Sequence, residues 1–141
     1  MPAQEYPLDE AGIKRFRLSF REFFDIDPNT CPVYVDISEG FSSPGVEYYL
    51  PLFFDQLASL FDYLPPDRRL LIDDAALPQA RAFTDQVAER YESRRYNLER
   101  PLLPPADLFL DIDTLEQQMR KFSCLFFSAF KLDQTDNSNI N

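Results

Sequence analysis

Leu70, Leu71 and Ile72 form a short apolar run that stops at Asp73-Asp74, and from Leu77 to about Tyr96 the pattern changes to helical spacing, with Ala80, Phe83, Val87, Ala88 and Tyr91 on one side. A strand that hands over to a helix within a few residues points to a mixed helix-and-sheet fold, in which the strand packs one face on a helix and needs cover for the other. The opposite side of that helix carries Arg81, Asp85, Glu89, Arg90, Glu92, Arg94 and Arg95, an interspersed pattern suited to solvent. The expected fold class is therefore α/β, mainly helical, around a small piece of sheet.

Helical signals dominate the rest. Asp9 is placed to cap a helix to about Phe24, in which Ile13, Phe16, Phe20, Phe23 and Phe24 recur at three- and four-residue spacing. Lys14, Arg15, Arg17 and Arg21 fall largely outside that stripe, as a solvated face would, and Asp25-Ile26-Asp27-Pro28 ends the helix. The run CPVYVDISEG is ambiguous. Val33, Tyr34, Val35 and Ile37 favour a strand, whereas Asn29 or Thr30 before it and Gly40 after it look like helix caps. Ser43 and Pro44 predict a short helix through about Leu50, and Tyr48, Tyr49, Phe53 and Phe54 read as packing aromatics rather than a base-stacking platform. Arg100 to Pro105, RPLLPP, is a rigid connector; a further helix begins near Asp113, and SCLFFSAFKL has the length and apolarity of a buried strand.

Composition removes several function classes. The 141 residues are 45% hydrophobic and 15% aromatic, enough for one domain with a core, and no apolar run approaches the roughly 20 residues of a membrane span. The amino-terminal residues lack the pattern of a signal peptide, so a cytoplasmic location is expected. Cys31 and Cys124 stand apart and histidine is absent, which argues against a zinc centre and against Ser-His or Cys-His catalysis; two buried thiols are expected. The net charge of −10 argues against direct nucleic-acid binding. Residues 25–80 hold ten acids against Arg68 and Arg69, while 81–100 nearly balance, with five arginines against four acids.

An apolar strand ending in an acid pair is also the form of a helicase-type ATPase motif, in which Asp helps hold Mg²⁺ and Glu positions water. Here Asp73 is followed by Asp74, Ala75 and Ala76, and the three glycines, Gly12, Gly40 and Gly45, form no phosphate loop. Asp73 and Asp74 thus read as a degenerate acidic motif at a strand end, beside a helix start. No catalytic, cofactor-binding or metal-ligating residue is expected.

The segments PGVEYYLPLFF, LFDYLPPDRRLLIDDAAL, ARAFTDQVAERYESRR and RPLLPP, in this order, resemble the bacterial transcription-repair coupling factors (the Mfd family), in the part of their amino-terminal region that is similar to UvrB. The resemblance covers 2–122 and implies a partial UvrB-like domain built on a RecA-like sheet with a degenerate phosphate loop. It implies that CPVYVDISEG is helical. Beyond the matched stretch the expectations rest on composition: 123–132 as a terminal strand and 133–141, with no core-forming residue except Ile140, as a disordered tail. Members of this family release stalled RNA polymerase by ATP-driven DNA translocation and recruit UvrA for nucleotide excision repair; the resemblance places ATP, magnesium and the contacts to UvrA and polymerase in other modules. A piece of such a protein, taken from after its preceding module, is the expectation, with the parent's remaining modules as its partners. The alternative is an independent acidic adaptor that docks on a protein through its aromatic patch.

Overall fold

The computed structural model describes residues 6–128. Helix α1, Glu10–Phe23, starts where Asp9 accepts the Gly12 N–H at 2.7 Å. Gly12 is obligatory there, since a Cβ would stand 2.4 Å from the Pro7 carbonyl oxygen. Phe16 and Phe20 turn inward and are fully buried, while Phe23, one turn further, is half exposed.

The ambiguous run folds as helix α2, Pro32–Ser38, against the β propensity of its side chains. Helical geometry puts Val33, Tyr34 and Ile37 together against α1, where all three are buried; a strand would have split Tyr34 from its neighbours. The cap position is Cys31, not Asn29 or Thr30, which instead belong to a 3₁₀ turn, Pro28–Thr30, capped by Asp27. Gly40, at φ +83°, follows the helix.

The helix expected from Ser43 to Leu50 is instead a 3₁₀ segment, Val46–Phe53, running through Pro51. Its start is displaced because Gly45 takes φ +92°. Tyr49 and Phe53 point into the core, and Tyr48 and Phe54 point out. Phe16 stacks on Phe53 at 4.8 Å, and Phe20 meets Tyr34 at 4.9 Å, so one aromatic cluster unites α1, α2 and the 3₁₀ segment. Each such pair adds about 0.5–1.5 kcal/mol beyond burial. Cys31 lies inside this core, whereas Cys124, expected buried, is only half-buried.

After a 3₁₀ turn, Leu60–Tyr63, closed by reciprocal Ser59 and Asp62 hydrogen bonds, comes strand β1, Arg69–Asp73. Helix α3 spans Ala76–Arg94, α4 Pro105–Leu108 and α5 Ile112–Met119; strand β2, Ser123–Phe127, then pairs parallel with β1, Leu70 beside Cys124 and Ile72 beside Phe126. The α/β, mainly helical class therefore holds at the level of helices plus a two-stranded parallel sheet. The expected strand at 123–132 is present over its first half; its remainder from Ala129 and the tail 133–141 lie outside the described residues.

The connector between α3 and α4 has a role that its composition did not announce. Leu103 is buried in the aromatic core, and the Tyr49 hydroxyl donates to the Pro101 carbonyl at 2.8 Å. Burial, then the adjacent Cys31 thiol, pushes the Tyr49 phenol above its ordinary value, so it remains a donor. Tyr49→Phe, which orphans the buried carbonyl, should lower stability by about 1–2 kcal/mol, seen as a lower urea midpoint at unchanged m-value. Tyr48→Phe, at an exposed site, should change nothing. A raised folded-state value means that the phenol's contribution is full below the ordinary tyrosine value of 10.0 and is lost as pH rises toward the folded value. The gap between wild type and Tyr49→Phe should therefore narrow in alkali.

Candidate functional site

The acidic pair sits where the sequence places it, at the end of β1. Asp73 is the last strand residue, and its Oδ1 accepts the Ala75 N–H at 2.8 Å, folding the chain into the turn that opens α3. The Asp74 N–H donates to the Phe127 carbonyl at 2.9 Å and extends the sheet by one bond. Both side chains face solvent. Ala75, the residue before α3, offers no side-chain cap, so the Asp73 carboxylate supplies the local acceptor that the helix start lacks. Among the described residues no group of three or more His, Cys, Asp or Glu side chains is placed to hold a metal ion. In this structure the Asp73 carboxylate shapes a turn and the Asp74 backbone lengthens the sheet.

The two-stranded sheet around it is largely uncovered. Parallel pairing puts Leu70, Ile72, Cys124 and Phe126 on one face and Leu71, Leu125 and Phe127 on the other. Only Ile72 is well covered; Leu71 is 71% exposed, Leu125 54% and Phe126 63%. Over 123–127 the strand expected at SCLFFSAFKL is present, but its buried character is not: Leu125, Phe126 and Phe127 are exposed. Parallel strands are ordinarily enclosed on both faces, and two strands alone are marginal in water. Each of these side chains forgoes on the order of 1–2 kcal/mol of burial.

Helix α3 shares this openness. It has no fully buried residue, although its stripe of Ala80, Phe83, Val87, Ala88 and Tyr91 looked core-facing; Ala80, Val87 and Tyr91 reach half-burial only. An edge contact between Phe83 and Phe109 at 5.4 Å and an ion pair from Arg81 to Glu116 tie it to the segments that follow. Of the α1 cations, Arg15 pairs with Asp55 at 2.9 Å and Arg21 lies over the Tyr34 ring, so that face is only partly free in solvent.

No protein-family model matches the chain. Among curated proteins it is similar to the transcription-repair-coupling factor of Haemophilus influenzae, 38% identical over 134 residues, which are 94% of this chain and 12% of the relative. The factor of the same name from Escherichia coli is 34% identical over 123 residues, 86% of this chain and 11% of the relative. A third, from Rickettsia typhi, is 26% identical over 139 residues, 94% of this chain and 12% of that protein. The chain thus spans about an eighth of the length of the curated relatives it matches.

If Asp73 is a turn-former, Asp73→Ala should lower stability by about 1 kcal/mol, while Asp74→Ala, which keeps its backbone bond to Phe127, should not. Paired thermal melts of the two variants decide this. Equal effects would contradict the assignment.

Proposed function

Because the chain is a relative of one segment of the transcription-repair-coupling factors, we propose that it serves as a structural part of such a factor: a contributor of strands and helices to a UvrB-like, RecA-like module. The observation that carries this reading is the 38% identity over nearly the whole chain against a relative eight times as long. The open faces of β1 and β2 support it, because neighbouring strands and helices of a larger sheet would give Leu71, Leu125 and Phe126 the cover they lack here.

On this reading the chemistry belongs to the parent. The whole factor would release stalled RNA polymerase by ATP-driven movement on DNA and recruit UvrA, with ATP, magnesium and both partners bound by modules outside this chain. The chain itself would neither hydrolyse ATP nor bind duplex DNA: it has no phosphate loop, Asp73 is engaged in a turn, and a charge of −10 repels phosphates. A bacterial cytoplasm is where such a factor would act. No helix among the described residues is long and apolar enough to cross a membrane.

The test is linkage. The segment that precedes the matched stretch in a coupling factor, added in trans, should raise the melting temperature of this chain in proportion to the logarithm of its concentration, and calorimetry with ATP and Mg²⁺ should show no binding heat. A strict monomer whose sharp, concentration-independent transition ignores that segment would contradict the proposal and favour the independent acidic adaptor.

A further inference from the structure

On another part of the surface, an open groove of about 960 Å³ runs between the end of α1, the loop after the 3₁₀ segment, and α4 with its following residues. Phe23, Phe54, Leu57, Phe109 and Leu110 line it, and each is more than a third exposed. Such concentrated apolar surface on an otherwise charged chain marks a binding region. The groove is acidic at its rim: Glu22, Asp55, Asp62 and Asp107 contribute carboxylates, and no Lys or Arg is among the lining residues.

Two of those carboxylates are occupied. Asp55 pairs with Arg15, and Asp62 is held by Ser59, whose backbone and hydroxyl donate to it and keep its carboxyl below the usual aspartate range. Glu22 and Asp107 form no ion pair among the described residues. Both are exposed, one on α1 and one on α4.

We propose that this groove is a docking site for a short cationic amphipathic segment of a partner protein, whose large apolar side chains enter between Phe23 and Phe109 while flanking Lys or Arg residues pair with Glu22 and Asp107. Charge complementarity selects this occupant. A nucleic acid or an anionic lipid surface would bring like charge to the rim. A second copy is equally poorly suited, since its main cationic element, α1, has its aromatic stripe of Phe16 and Phe20 committed to its own core. A cationic amphipathic segment satisfies the apolar and the acidic parts of the groove together.

The test uses the full chain and a fluorescein-labelled synthetic peptide of roughly 14 residues, Leu and Lys arranged with helical periodicity, against a scrambled peptide of the same composition. Anisotropy should show saturable binding of the patterned peptide, weakening with added salt, and binding of the scrambled peptide about tenfold weaker. Glu22→Lys with Asp107→Lys, both at exposed sites, should leave the melting temperature in place and reduce affinity at least about tenfold. Phe109→Ala should reduce it without changing the salt dependence. Equal affinity for the two peptides, absence of binding, or indifference to the charge reversal overturns the proposal. So does a groove-dependent dimer in sedimentation, or groove-dependent binding of phosphatidylglycerol vesicles, since either would identify a different occupant.

Discussion

Phe16 and Phe20 are separated by one turn of α1, and everything packed in the first half of the chain packs on them. Phe16 stacks on Phe53, Phe20 meets Tyr34 and Tyr49, and both rings are fully buried. Through the Tyr49–Pro101 hydrogen bond and buried Leu103, the same cluster reaches across the sequence to hold the connector that leads to α4. The position of α4, and with it one wall of the groove, follows from an anchor in the aromatic core. Removing either phenylalanine would cost about 3–5 kcal/mol, a large share of the stability of a domain this size.

Among the described residues the second half has no comparable cluster. Its parallel strands satisfy each other's backbone groups, but Leu71, Leu125 and Phe126 stay largely in water and α3 buries no residue fully. On the proposed reading, neighbouring strands and helices of a larger sheet cover this apolar pair. The Asp73 carboxylate closes the turn from β1 into α3 by accepting the Ala75 N–H.

Much of this was legible where local rules decide. Asp9, the spacing of Phe16 and Phe20, the apolar run before Asp73 and the long pattern after it each specified an element that formed close to its expected bounds. Local rules failed where tertiary contact outweighed propensity. β-branched Val33, Val35 and Ile37 point to a strand, yet burying Val33, Tyr34 and Ile37 against α1 requires a helix, which the flanking cap signals left open and the family resemblance favoured. The displaced 3₁₀ segment turned on the φ of Gly45, which Ser43-Pro44 capping logic ignores. For β2 the apolar composition was read correctly and its burial was not, because burial depends on tertiary cover that apolar composition does not reveal. The groove was illegible in principle: Phe23 and Phe109 lie far apart in sequence and share no period, and only the anchored connector brings them to one site.

A buried aromatic core stands beside a largely exposed two-stranded sheet, and native-state hydrogen exchange measures that asymmetry directly. Amides of α1 and α2 should open only with the largest free energies in the molecule, and those of β1 and β2 should exchange through openings several kcal/mol cheaper. Uniform protection across both halves, with β1 and β2 exchanging only by global unfolding, would contradict it.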